Sequence, residues 1–348
     1  MTFPTSSARV VSLGAHIVDI LGRPVTGIPQ GQGHLLLDEI RVTAAGTAAG
    51  TSVDLVKLGA EVVAMGAIGD DELGDFLILL MSRRGIDTSR LARKHGVQTS
   101  ATILPIRPNG ERPALHVPGA SPWLELADVD LDAVACADVL HVGAPDVLGG
   151  FAGEALGRIL EFAKAHDVIV TMDLLQPGEV ATLDMLRPLL PLVDYFMPNA
   201  EQLCAVTGAA GCNDAVGVIK SICSATVVVK MGADGSLVAG DGPPIQVPAL
   251  PVEVVDTTGC GDAYSAGFIV ALARGWEVKA AAWFGAAAAA RVAQGLGSDA
   301  GIVDFSDTAG FLAAFGPTVG AIDFPAEVLE VLLTAGTSAS ARKEKGFD

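Results

Sequence analysis

The chain predicts an α/β architecture of three layers: a mainly parallel central sheet, helices on both of its faces, and a small β-lid. Short, continuously apolar runs alternate with longer helix-period segments, as buried parallel strands and their crossover helices do. The runs are bounded by Gly, Pro or Asp, the residues that end strands. Two further stretches break this rhythm with extended, hairpin-like patterns.

In chain order, the strand candidates are residues 9–14, 60–66, 139–143, 168–173, 195–198 and 225–230. Helices are expected near 46–58, 70–84, 150–165, 199–207 and 213–222, and again from Asp262 to about Gly275. Residues 34–43 and 98–118, the latter with Asn109-Gly110 between two extended runs, are either strands of an accessory sheet or ordinary edge strands. No low-complexity linker and no fixed-period repeat interrupts the chain. Residues 1–335 are therefore expected to form one domain, with lid segments at about 15–44 and 98–120. The polar, small-residue stretch 336–348 is expected to be a mobile tail.

Composition narrows the partners. Half of the 348 residues are apolar and only 5% aromatic, which suits closely packed helices and sheet. A formal charge of −18 repels nucleic-acid backbones, and no basic patch offsets it. Any phosphate ligand would need a local electropositive device such as a helix N-terminus or Mg²⁺. The five cysteines form no C-x-x-C pair, so reduced thiols of a cytoplasmic protein are expected. No basic-then-apolar leader opens the chain, and no run of about twenty apolar residues suggests a membrane span.

The stretch richest in chemistry is Val254-Val-Asp-Thr-Thr-Gly-Cys-Gly-Asp-Ala-Tyr-Ser-Ala-Gly-Phe268. Gly259 and Gly261 permit a tight turn, and the helix that follows directs unpaired amides of Gly259, Cys260 and Gly261 into it. That is an anion hole suited to a triphosphate γ-group, with no basic side chain required. Asp262 follows in the first helical turn, where the dipole should keep it ionised and able to accept a hydroxyl proton. A lone G-x-G-D is common at helix starts and decides nothing.

The full string Asp256-Thr-Thr-Gly-Cys-Gly-Asp262 closely resembles the second signature of the ribokinase-like (PfkB-type) carbohydrate kinases. Further features follow in the family's order: Leu13-Gly14 with Asp19, then Leu58-Gly59 and Gly66-Ala-Ile-Gly-Asp-Asp71, then Asp173, and then Val227-Val-Val-Lys-Met-Gly-Ala-Asp-Gly-Ser236. The resemblance implies a kinase that uses ATP and Mg²⁺ to phosphorylate a hydroxyl of a small sugar-like substrate. Asp262 would be the base over the Gly259, Cys260 and Gly261 amides. It assigns Asp19, Gly46 and Gly50 to the substrate, and Asn199, Lys230, Gly232, Gly235 and Thr258 to the nucleotide; Arg112 is a further substrate candidate. Part of the family binds K⁺, and Asp256, near the loop with Gly297 and Ser298, is the analogous monovalent-cation candidate. Lid strands in the family often pair between subunits, which implies a homodimer.

Two departures stand out. The first signature here is Ala45-Gly46-Thr-Ala-Ala-Gly50, so Gly50 falls where the family has a substrate-touching Asn. The family's Asn-x-x-Glu, linked to Mg²⁺, becomes Asn199-Ala-Glu-Gln202, with Glu201 one residue early as the remaining metal candidate. These departures keep open a nucleoside kinase of the same fold and a catalytically weak nucleotide- or metabolite-binding regulator. Arg112 is either a lid residue reaching substrate or an exposed hairpin charge. The Ala-rich stretch 280–293 is either a helix beneath adenine or a plain core helix.

Overall fold

A computed structural model describes residues 7–176, 181–298 and 300–315; the tail at 336–348 and the end of the expected domain lie outside them. The first half contains β1 (Arg9–Gly14), β2 (Ile17–Arg23), β3 (Glu39–Ala45), α1 (Thr47–Lys57), β4 (Glu61–Gly69), α2 (Glu72–Ser82), β5 (Asp87–Lys94), β6 (Ala101–Pro105), β7 (Leu115–Val117), α3 (Leu131–Ala135) and β8 (Val139–Gly143). It is followed by α4 (Glu154–Ala165), β9 (Ile169–Asp173), α5 (Leu183–Leu186), β10 (Tyr195–Phe196), α6 (Ala200–Thr207), α7 (Cys212–Lys220), β11 (Thr226–Lys230), β12 (Ser236–Ala239), β13 (Ile245–Val247), α8 (Cys260–Ala273), α9 (Val278–Ala293) and α10 (Phe305–Phe315).

The main sheet runs β13-β12-β11-β10-β9-β8-β1-β4-β5, and only β12 and β13 are antiparallel to their neighbours. Its central strands are buried on both faces, which explains their continuous apolar sequence. One face packs α1, α2, α8, α9 and α10 around residues such as Leu55, Phe268 and Phe284. The other packs α3 to α7 around Ile159, Leu186 and Leu203. β5 (Asp-Thr-Ser-Arg-Leu-Ala-Arg-Lys) is mostly exposed at the sheet edge, and its charges hide it from a search for apolar runs.

From β1 the chain steps outward to β4 and β5 on one side and later to β8, β9, β10 and β11 on the other. The crevice where strand order reverses therefore opens at the carboxyl ends of β1 and β8, the expected place for a ligand in such a sheet. Beneath it, Ser12, His141 and Thr171 lie in register on three neighbouring strands. Ser12 Oγ donates to the Ala48 carbonyl at 3.0 Å, and the His141 Nε2 faces the Thr47 carbonyl at 3.2 Å. His141 Nδ1 accepts from the Thr171 hydroxyl at 2.9 Å, the tautomer that this pair of partners requires. Burial pushes the His141 pKa down to about 4, so the imidazole is neutral. This polar ladder fixes the start of α1 over the crevice.

The remaining strands form a second sheet, β3-β2-β6-β7. Register places Thr43, Asp19, Thr102 and His116 in one row across it. They share the inner face with Leu21 and Leu104, which pack with Ile106 on Leu296.

Candidate active site

Asp262 lies in the first turn of α8, beside α1. The helices approach so closely that a Cβ on Gly50 would lie 2.5 Å from Asp262 Oδ2. Gly50 is thus the floor beneath the carboxylate. Asn in its place would displace Asp262 before it could reach a ligand. Burial, followed by the charge of Asp173, pushes the Asp262 pKa up to about 7; Lys230 opposes the rise and Asp19 adds to it. This corrects the expectation of a fully ionised base, because desolvation and two neighbouring carboxylates outweigh the helix N-terminus.

Asp173 ends β9 and is fully buried. It forms an ion pair with Lys230 at the end of β11 and accepts from Ser265 Oγ at 3.0 Å. Lys230 Nζ also lies 3.5 Å from the Gly261 carbonyl and 3.4 Å from Ser265 Oγ. Lys230 therefore ties two strands to the underside of the first turn of α8. Across the crevice, burial pushes the Asp19 pKa up to about 6, against a Thr102 hydrogen bond and the charge of Arg112. Thr102 Oγ1 also lies 3.1 Å from His116 Nδ1, which extends the polar row along the lid.

Gly259 adopts a left-handed conformation as the N-cap of α8, and a Cβ there would lie 2.4 Å from Ser298 Cα. The Cys260 amide turns back to the Thr257 carbonyl at 3.3 Å, so it is less available to an anion than the sequence suggested. Burial, reinforced by Asp256, raises the Cys260 pKa to about 12, which keeps the thiol protonated. Two open clefts of about 410 and 440 Å³ lie elsewhere, one lined by Cys212, Asp214 and Gln246 and the other by Lys164, Asp167 and Tyr195. Neither touches Asp262, so chemistry rather than concavity locates the site.

Residues 7–304 match the model of the pfkB family of carbohydrate kinases. The chain belongs to that family. It is 30% identical over 262 residues to a 1-phosphofructokinase of Haloferax volcanii, covering 71% of this chain and 79% of the relative. A fructokinase of Klebsiella pneumoniae is 28% identical, with 77% and 85% covered. The fold matches an Arabidopsis thaliana ribokinase complexed with ribose and ATP at a TM-score of 0.75, with 24% identity over 88% of this chain and 99% of that one. A Vibrio cholerae fructokinase with fructose, ADP and calcium matches at 0.72, with 21% identity and 88% and 99% covered. These structural likenesses show the shared three-layer fold.

Within this pfkB chain, several residues singled out from the sequence have other partners. Asn199 caps α6: its Oδ1 accepts from the Gln202 amide and its own amide donates to Gln202 Oε1, each at 2.8 Å. Gln202 Nε2 then donates to the Leu174 carbonyl at 3.0 Å, a bond that a glutamate could not make. The loss of the family's Glu thus has a local structural reason. Glu201 is exposed in the first turn of α6, beside the Asn199–Lys230 bridge. Among the described residues, no group of three His, Cys, Asp or Glu forms a metal cage.

Gly232 opens the turn between β11 and β12 and faces open space, whereas a Cβ on Gly235 would lie 2.0 Å from the Val247 carbonyl. Gly46 caps α1, with the Ala15 carbonyl 2.6 Å from where its Cβ would be. Arg112 reaches from the β6–β7 connection to Asp256 Oδ1 at 2.9 Å and Thr258 Oγ1 at 2.6 Å. α9 is almost entirely buried and packs on α8, so it is a core helix along its length. Thr43, Thr102, His116 and Ser265 escaped the sequence reading because only strand register and helix packing bring them to Asp19 and Asp173. No helix among the described residues is long and apolar enough to cross a membrane.

Proposed function

We propose that this protein transfers the γ-phosphoryl group of ATP to a hydroxyl of a small polyhydroxylated substrate held between the lid row and Asp262. The observation that carries this reading is the Asp262 carboxylate, tuned to about 7, at the N-terminus of α8 and within electrostatic reach of Asp19. A base with that pKa is poised to accept a hydroxyl proton at neutral pH. Asp19, Thr102 and His116 offer acceptors and donors in one row, a pattern suited to vicinal hydroxyls. The amides at the start of α8 would hold the transferring phosphoryl group, and Lys230 would stiffen that turn from below.

Mg²⁺ suits this site without an acidic cage, because it retains several waters and binds mainly through substrate phosphates and one or two carboxylates. Glu201 and Asn199 would be the residues to hold its waters. When bound, the ion would neutralise charge on the phosphates.

The same reading has a second copy of the chain cover the outer lid face. That face exposes Ile40, Ile103, Leu115 and Val117.

Initial rates with Mg-ATP against a panel of ketoses, aldoses, sugar acids, sugar phosphates and nucleosides test the assignment. Phosphorylation of at least one panel member is expected. Failure of Mg-ATP to bind at millimolar concentration, or phosphorylation abolished by no Asp262 substitution, would overturn it.

A further inference from the structure

The resemblance to this family brings with it a monovalent-cation site at Asp256, but the residues present do not leave room for one. Asp256 Oδ1 accepts from the Thr258 amide at 2.9 Å, from Thr258 Oγ1 at 2.7 Å and from Arg112 Nη1 at 2.9 Å. Oδ2 accepts from the Gly297 amide at 3.0 Å. The neighbouring carbonyls are engaged too. Ala293 O accepts from the amides of Val255 and Asp256, and Leu296 O accepts from the Arg41 guanidinium. A cation needs oxygens whose lone pairs face it, and here those lone pairs face donors. It would also meet the fixed charge of Arg112, which does not deprotonate in proteins.

We propose that Arg112 takes the place of the monovalent cation, so that the loop before α8 is charge-balanced by the lid itself and nucleotide binding is independent of K⁺. Asp256 has only 9% of its side chain exposed, and burial works against its charge, yet four donors hold its pKa below the usual range. The carboxylate therefore needs a permanent counter-charge beside it, and Arg112 supplies one. Arg112 comes from the β6–β7 connection, and its guanidinium also donates to Thr258, one residue before the N-cap of α8. Arg41, on β3, secures the same loop from the other side of the lid sheet. A diffusible ion would balance the charge without linking the sheets. Arg112 does both, and Arg41 adds a second link between the sheets.

The proposal rests on the nucleotide site described above, and its test separates the two. Thermal unfolding of the full chain and calorimetric Mg-ATP binding would be measured in KCl and in tetramethylammonium chloride, each at about 0.1 M to hold screening constant. For the native protein, Tm and the Mg-ATP Kd should differ by less than about twofold in affinity between the salts, below the 5–150-fold typical of coupled sites. Arg112→Ala should bind Mg-ATP more weakly in tetramethylammonium and recover at least about fivefold in K⁺. Arg112→Lys, which keeps the charge, should remain insensitive to K⁺. A native protein stabilised or tightened by K⁺ alone would overturn the proposal, as would an Arg112→Ala protein that binds Mg-ATP equally in both salts. Absence of Mg-ATP binding in either salt would instead remove the nucleotide site.

Discussion

Replacing Asp262 by Asn should make the protein both inactive and more stable, because the carboxylate that serves as base is held where its charge is disfavoured. Raising a carboxyl from 3.8 to about 7 corresponds to about 4 kcal/mol against the ionised form. The residue is only part-buried, so solvent screening reduces this, and about 2 kcal/mol is the working figure. The sign follows from the raised pKa: stability is fully present below pH 3.8 and is lost as pH rises through about 7. At pH 8 Asp262→Asn should therefore unfold roughly 3–6 °C above the native protein, and the gap should narrow as pH falls to 5 and close only below about 3.8. Asn retains the volume of Asp, while loss of the general base should lower kcat by about 10²–10⁴-fold. Thermal unfolding at several pH values, together with initial rates on an acceptor found in the panel, measures both effects. A variant that is no more stable at pH 8 than at pH 5, relative to native, would refute the electrostatic account. Retention of more than about a tenth of native kcat would refute the role as base.

Gly50→Ala introduces a Cβ 2.5 Å from Asp262 Oδ2, so kcat should fall with little change in Mg-ATP affinity; unchanged kcat would show that the carboxylate can move freely. Lys230→Met removes the cation that lowers the Asp262 pKa and leaves Asp173 unpaired. The acid limb of the kcat/KM profile should then move to higher pH, and stability should drop by about 3–5 kcal/mol; a limb that stays in place would contradict the coupling. His116→Ala should raise KM for the acceptor more than it lowers kcat, because His116 lies in the lid row on β7, opposite Thr102. Ile103→Asp places a charge on the exposed outer lid face and should shift mass in light scattering from dimer to monomer; an unchanged mass would remove the lid from the interface.

What the sequence determined by itself was whatever depends on local order. Buried parallel strands such as Val139–Gly143 read as apolar runs, and the start of α8 is marked by Gly259, Gly261 and Asp262 within four positions. Such features survive in one dimension because the physical cause lies within a few residues. Tertiary structure alone decided the rest. The fate of Gly50 depends on the contact between α1 and α8, more than two hundred residues apart in the chain. The partner of Gln202 is a carbonyl on another strand's loop, and the lid row exists only once β2, β6 and β7 take up their register. The ionisation of Asp262 is decided in the same way. Local sequence places it at a helix N-terminus, which favours charge, but burial and the nearby carboxylates of Asp173 and Asp19 reverse that preference. Electrostatic interactions act through space, and the sequence does not contain those distances.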